Sequence, residues 1–507
     1  MHDTSGTATP STRAGWRPQL PPLLLLATLL GMGVLALVGM WRFFLQHEPL
    51  DPWEAAQVGE AWRAAHAMPV YEMAPGHATH MYGPLAPWLF GALVRAVGPS
   101  IFVPRLFTLV SALLIIAMIA RAVNRAAPRP VAWQLAGVGL LLAIDAQTLH
   151  FFVRGKPDLV ALFVASLGLA TMYHWEGSAR LRTLIAASLL FVVAVFLKQS
   201  TAVLTGIPFL ALLGRPPRSI RRLALSTMPA VAVALALVVV RVRFPIVHHY
   251  MIAVPATYGI DKGGMLDATL LFLGSLPLFW ILGAQRILSR EPDATLCDPE
   301  RWIVAALVVT VPTGALFIGK LGGGTNSWLP ALLVVVGFCL LQLPRVIAWL
   351  TDAPLGYARR MALSAMLSVA AVATMPSLYH NLFRVAHLQR YDDMLSTVRA
   401  LPPGRVASPS DVLIALRARG EIGPSVHSEM DAGGGREGWH ARIPARIVAE
   451  LDSARYVVMP PDEWFTTPLR ADSVAARGFT PRERVGPFTI WERYRSVQTP
   501  STLLPSR

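Results

Sequence analysis

LDPWEAAQVGEAWRAAHAMPVYEMAPGHATHMYGP, Leu50 to Pro84, is the stretch whose reading decides the fold. It follows a long apolar run at 20–41 and is itself too polar to enter lipid. It carries Asp51, Glu54, Glu60 and Glu72 with the histidines His66, His77 and His80, and more apolar runs follow it. An acidic, aromatic, His-bearing loop pinned at both ends to a bilayer is a place for chemistry. The rest of the chain reads as a scaffold that holds this loop over a membrane cavity.

Composition supports the scaffold. Of 507 residues, 54% are hydrophobic and 15% charged, where a soluble protein of this size carries about a quarter charged. The mean hydropathy is +0.49, and apolar runs recur almost to residue 380, the pattern of a polytopic membrane protein. The net charge of +15 does not imply nucleic acid as a partner, because much of the excess arginine lies in short loops between apolar runs, where it sets orientation. Cys297 and Cys339 fit neither a disulfide framework nor a zinc site. Residues 1–19 are rich in Ser, Thr and Pro and are expected to be a disordered cytoplasmic N-terminus.

Candidate spans fall at 20–41, 104–120, 131–149, 158–174, 183–197, 200–214, 223–240, 268–284, 302–318, 328–343 and 361–379, about eleven in all. The stretch 84–98 covers only ~22 Å as a helix, carries Arg95 and is read as an interfacial helix within an outer loop 42–103. The arginines agree with that choice. Arg13 and Arg17 put the N-terminus in the cytoplasm, and the Arg-bearing loops 121–129, 175–182, 214–222, 285–301 and 344–360 then all fall inside. The near-continuous apolar run 183–214 is broken only by Lys198-Gln199-Ser200-Thr201 and is read as two short spans turning at Lys198. After residue 380, short β-like runs (455–459, 488–491) alternate with amphipathic helices (411–418, 444–451), and DAGGGREG at 431–438 reads as a loop. Residues 385–507 are therefore expected to form a small extracytoplasmic α/β domain.

On this topology the polar residues gather on one side. They include Asp51 to Tyr82, Arg105, Asp145, His150, Arg154, Lys156, Asp158, Lys198, Gln199 and Asn326. All four lysines, Lys156, Lys198, Lys262 and Lys320, are outside, either as strays in an Arg-rich chain or as a cationic rim for an anionic headgroup. Asp51-Pro52-Trp53-Glu54 is a helix start with a capping box, which accounts for both carboxylates without catalysis and is compatible with it. His80, His248 and His249 are weak candidates for a divalent cation, since no pair has the helical spacing of a metal motif. GKLGGGTNSW at 319–328 lacks the Lys-Ser/Thr of a P-loop.

In this order, LDPWEAAQVGEAWRAAHAMPVY, MYGPLAPWLFGALVRAVGPS, PRLFTLVSALL, FVRGKPDLVALF, FLKQSTAVL and GGGTNSWLPALL resemble the GT-C superfamily of integral-membrane glycosyltransferases over roughly residues 20–380. The branch they resemble is that of the protein O-mannosyltransferases and lipid A aminoarabinose transferases. The resemblance implies transfer of a sugar from a polyprenyl-phosphate carrier to a protein, lipid or glycan acceptor of the cell envelope, on the outer face of a bacterial inner membrane. By position, Asp51 would be the general base. The group often has adjacent Asp-Glu, whereas Asp51 and Glu54 are separated here by Pro-Trp, which leaves Asp51, Glu54 and Glu48 as contenders. Tyr82, Arg154, Lys156, Asp158, Lys198, Gln199 and Asn326 are the candidate substrate-binding residues. The reading set against this one is a transporter or lipid flippase, which would spread its charges along a path through the membrane.

Overall fold

The computed structural model describes residues 19–71, 80–126, 152–214, 219–288, 298–320, 323–352, 356–373, 388–432, 442–460 and 469–493. The expected span 131–149, with Glu72, His77, Asp145, His150, Cys297 and most of the 431–438 loop, lies outside them, as do residues 1–18.

Helix α1 (Leu20–Phe44) starts on Pro21 and Pro22 and is long enough, at ~1.5 Å per residue, to cross a bilayer. Leu25, Leu29, Met32, Ala36 and Met40 recur at helical spacing and are buried, whereas Val34, Leu35, Val38 and Trp41 are exposed apolar surface suited to lipid. Polar loop residues then begin α2 (Pro52–Ala65), which packs against α3 (Leu85–Val97). At 13 residues α3 is about 20 Å long, too short to span, and it exposes Trp88 and Val97. Next come α4 (Phe102–Ala126), α5 (Pro157–Ser178) and α6 (Leu181–Leu197). Helix α6 stops at Lys198, whose backbone is extended (φ −153°, ψ 117°). A 3₁₀ segment, Gln199–Gly206, and the short α7 (Ile207–Leu213) follow.

Beyond the short helix Ile220–Leu225 the chain continues through α8 (Met228–Arg243), α9 (Lys262–Gly274), α10 (Pro277–Leu288), α11 (Asp298–Ile318), α12 (Leu329–Asp352) and α13 (Tyr357–Val372). Among the described residues six helical stretches are long and apolar enough to cross a membrane, seven if α9 and α10 are one broken span. The expected span at 268–284 is thus a pair of helices bent by 70°, because Pro277 has no amide hydrogen to continue α9. The spans read at 183–197 and 200–214 are shorter apolar helices. The chain is an integral membrane protein by the length and composition of these helices.

The C-terminal part is a four-stranded sheet of order β1-β2-β4-β3, with β1 (Val406–Ala407) parallel to β2 (Tyr456–Met459) and the antiparallel pairs completed by β3 (Phe479–Val485) and β4 (Phe488–Arg493). One face (Tyr456, Val458, Ile490) buries Tyr391, Leu395 and Val398 of α14 (Leu388–Ala400), and the other packs Ile447 and Leu451. Two further helices, α15 (Val412–Arg419) and α16 (Val426–Ala432), face the membrane part. Val412, Leu413 and Leu416 of α15 close an apolar cluster with Ala55 and Val58 of α2 and with Ile101. His47 pairs with Asp392 at 2.7 Å. The C-terminal domain therefore sits on the loop that carries Asp51.

Candidate functional site

Asp51 caps α2. Its extended backbone (φ −156°, ψ 165°) lets Oδ1 accept the Glu54 amide at 2.7 Å, with Pro52 in the first turn. That leaves Oδ2 aimed at the loop before α5, where Arg154 Nη1 and Lys156 Nζ each lie 2.7 Å away. All three side chains are at least 85% buried. Burial pushes the Asp51 carboxyl up, but the charges of Lys156 and Arg154, with hydrogen bonds from Lys156 and the Glu54 amide, hold it at about 2. Burial lowers Lys156 against the opposing pull of Asp51.

Three residues on, Glu54 is fully buried and differently occupied. It accepts from Arg105 Nε (2.8 Å) and Nη2 (2.9 Å), the Gly155 amide (2.6 Å) and the Leu50 amide (2.7 Å). Arg105 also donates to the carbonyls of Phe43, Phe44, Gln46 and Glu48. These carbonyls lie at the end of α1 and in its following turn, and one guanidinium binds all four while tying α1 to α2 and α4. The Glu48 carboxyl is raised by burial against the pull of Arg105.

A second cluster stands beside the first. Asp158, in the first turn of α5, accepts from Lys198 Nζ and from Asn326 Nδ2 at 2.6 Å. Lys198 Nζ lies 4.9 Å from the centroid of the Tyr82 ring. Gln199 donates to the Met81 carbonyl at 3.0 Å. The loop 80–84 is thus held between α2 and the break after α6. Tyr82 is half-buried, and its hydroxyl is pushed well above 10 by desolvation and then by Asp158, Asp431, Asp51 and Glu60, so it keeps its proton. Asp158 Oδ2 and Gln199 Oε1 are buried without a hydrogen-bond partner among the described residues.

His80 hydrogen-bonds Glu60 through Nδ1 and lies 3.2 Å from the Gly83 carbonyl through Nε2, so both ring nitrogens are engaged. His249 stands edge-on to Tyr250, and among the described residues no group of three His, Cys, Asp or Glu could hold a metal ion. Lys262 is exposed at the start of α9, and Lys320 donates to the Pro255 carbonyl at 3.3 Å. The structure therefore gathers Asp51, Tyr82, Arg154, Lys156, Asp158, Lys198, Gln199 and Asn326 and gives the remaining two lysines other places.

Sequence reasoning missed the contribution of α16. Trp53 Nε1 donates to Asp431 Oδ2 at 2.7 Å across 378 residues of chain. The Trp53 ring lies 5.0 Å from that of His427 and carries Lys156 Nζ 5.0 Å from its centroid. Burial pushes Asp431 up to about 6 and His427 down to about 4. No local spacing marks either residue.

No family model and no curated protein matches the sequence. Solved structures do match in fold. ArnT from Cupriavidus metallidurans bound to undecaprenyl phosphate superposes with a TM-score of 0.57 at 16% identity, over 94% of this chain and 99% of that one. The archaeal oligosaccharyltransferase AglB from Archaeoglobus fulgidus, in complex with an inhibitory peptide and a dolichol-phosphate, gives 0.50 at 12% identity over 95% of this chain and 75% of that one. The chain shares the ArnT-like fold over nearly all of its described length.

Proposed function

We propose that the protein is a glycosyltransferase that takes a sugar from a polyprenyl-phosphate carrier and passes it to an acceptor hydroxyl at the non-cytoplasmic surface. The observation that carries this reading is the contact of one buried carboxylate oxygen, Asp51 Oδ2, with both Arg154 and Lys156. An acceptor hydroxyl ionises far above neutral pH and needs a positioned base, a contribution of about 10²–10⁴-fold. A lipid phosphate leaving from the sugar gathers charge and needs fixed cations. Here both requirements meet within one hydrogen-bond length.

Asp51 is the base, and Arg154 and Lys156 receive the phosphate. Lys198, aligned by Asp158 and Asn326, adds a third cation against the Tyr82 face. Glu54 is a brace, because its oxygens already accept four donors. Support for the lipid class comes from the polyprenyl phosphates bound by the two structures of like fold. The test compares envelope lipids, proteins and glycans by mass spectrometry in cells carrying wild-type protein or Asp51→Asn. One sugar modification is expected to disappear with Asp51→Asn at equal protein level. Modification at the wild-type level would remove Asp51 as the base.

A further inference from the structure

We infer that Asp158 Oδ2 and Gln199 Oε1 form a subsite for the sugar of the donor lipid, each accepting a hydrogen bond from a hydroxyl of the ring. This inference rests on the function proposed above and gives the sugar its own part of the site, apart from the cations that receive the phosphate.

The two atoms stand out by a count of donors and acceptors. Asp158 takes both of its protein donors on one oxygen: Lys198 Nζ and, at 2.6 Å, Asn326 Nδ2 reach Oδ1. Only 8% of the Asp158 side chain is exposed, and Oδ2 meets no donor among the described residues. A carboxylate in the first turn of a helix suits the helix dipole, which accounts for the charge of Asp158 and not for a buried oxygen left unbonded. Gln199 repeats the pattern. Its Nε2 donates to the Met81 carbonyl at 3.0 Å, and because a carbonyl can only accept, the amide cannot be turned around. Oε1 is therefore the atom left over, buried and without a hydrogen-bond partner among the described residues. Both oxygens belong to one cluster. Lys198, which holds Asp158, directly precedes Gln199. Met81, which Gln199 holds, directly precedes Tyr82, whose ring centroid lies 4.9 Å from Lys198 Nζ. Two buried acceptors in such a cluster call for a ligand that brings donors. A phosphate diester has none, and neither has a polyprenyl chain. A sugar ring carries several hydroxyls, each able to donate. The donor class this selects is a polyprenyl-phosphoryl sugar with free ring hydroxyls.

The test holds the charge of the lipid fixed. Full-length protein in detergent is titrated with undecaprenyl methyl phosphate and with undecaprenyl-phosphoryl glucose, mannose, galactose and arabinose, all diesters of one negative charge. Wild type is expected to bind at least one sugar diester about tenfold or more tighter than the methyl diester. Asp158→Asn can keep an oxygen toward Lys198 and Asn326 while putting an N–H in the place of Oδ2, and Gln199→Met removes Oε1. The sugar-to-methyl affinity ratio should fall about tenfold or more in Asp158→Asn and about threefold or more in Gln199→Met. One monodeoxy analogue of the preferred sugar should show the reduced ratio already in wild type and be indifferent to Asp158→Asn, which a merely structural role of Asp158 would not produce. An unmoved ratio in either variant overturns the subsite, as does a wild type that prefers no sugar diester or an Asp158→Asn effect that every deoxy analogue feels alike. Failure of wild type to bind any of these diesters, methyl included, defeats instead the function on which the subsite rests.

Discussion

Asp51 and Glu54 sit three residues apart, and their spacing explains both as parts of one helix cap. What separates them is contributed from far along the chain: Arg105 and Gly155 reach Glu54, while Arg154 and Lys156 reach Asp51. No window of local sequence holds that information, so the carboxylates were legible as a pair and not as individuals. Glu54→Gln leaves Arg105 buried without its counter-charge. It should lower stability by about 3–5 kcal/mol, read as a depressed Tm of the solubilised protein. Asp431 works with the opposite sign from Asp51. Its carboxyl ionises at about 6 in the fold against an ordinary 3.8, so the folded state holds its proton longer. The stability this gives is complete below pH ~4 and is lost as pH rises through about 6. Asp431→Asn can still accept from Trp53 and has no charge to desolvate. It should be more stable than wild type at pH 8 by about 3 kcal/mol and close to it near pH 4, by thermal unfolding at the two pH values.

At the scale of elements, the sequence placed what depends on length and punctuation. The 13-residue α3 is too short to span, and the Lys198-Gln199-Ser200-Thr201 break ends α6 where the polar residues interrupt the apolar run. The sequence does not show that the break continues as a 3₁₀ segment, or that the loop 80–84 lies against it. Packing decides both. A Cβ added to Gly83 would stand 1.9 Å from the Phe196 carbonyl oxygen, so only glycine lets the loop come this close to the end of α6. Phe196 is backbone at that contact and cannot rotate away. Gly83→Ala should therefore lift Tyr82 off Lys198 and Met81 off Gln199, weakening polyprenyl-phosphate binding about tenfold or more while the spans stay assembled. Lipid titration of the purified variant, with its Tm alongside, checks both halves.

The whole molecule carries buried charge at two levels roughly one membrane apart. Asp158 opens α5 among the site residues, and Glu176, 18 residues on and about 27 Å along the axis, closes it against Arg301 and Trp302. Glu300 binds Arg286 and Arg345 near that second level. The first level is covered by the C-terminal domain; the second is flanked by Arg-rich loops. From the charge asymmetry in those loops, the second level is predicted to face the cytoplasm. The fold itself has no preference, since inverting the molecule leaves every internal contact intact. Sidedness must therefore be measured. In a background with Cys297→Ser and Cys339→Ala, Asp472→Cys places a thiol on the exposed face of the C-terminal domain and Arg180→Cys places one beyond the end of α5. A membrane-impermeant maleimide applied to cells with an opened outer membrane should label the thiol at 472 at once, and that at 180 only after the inner membrane is broken. The reverse order would put Asp51 and its cations in the cytosol, where a sugar carried on the outer leaflet could not reach them.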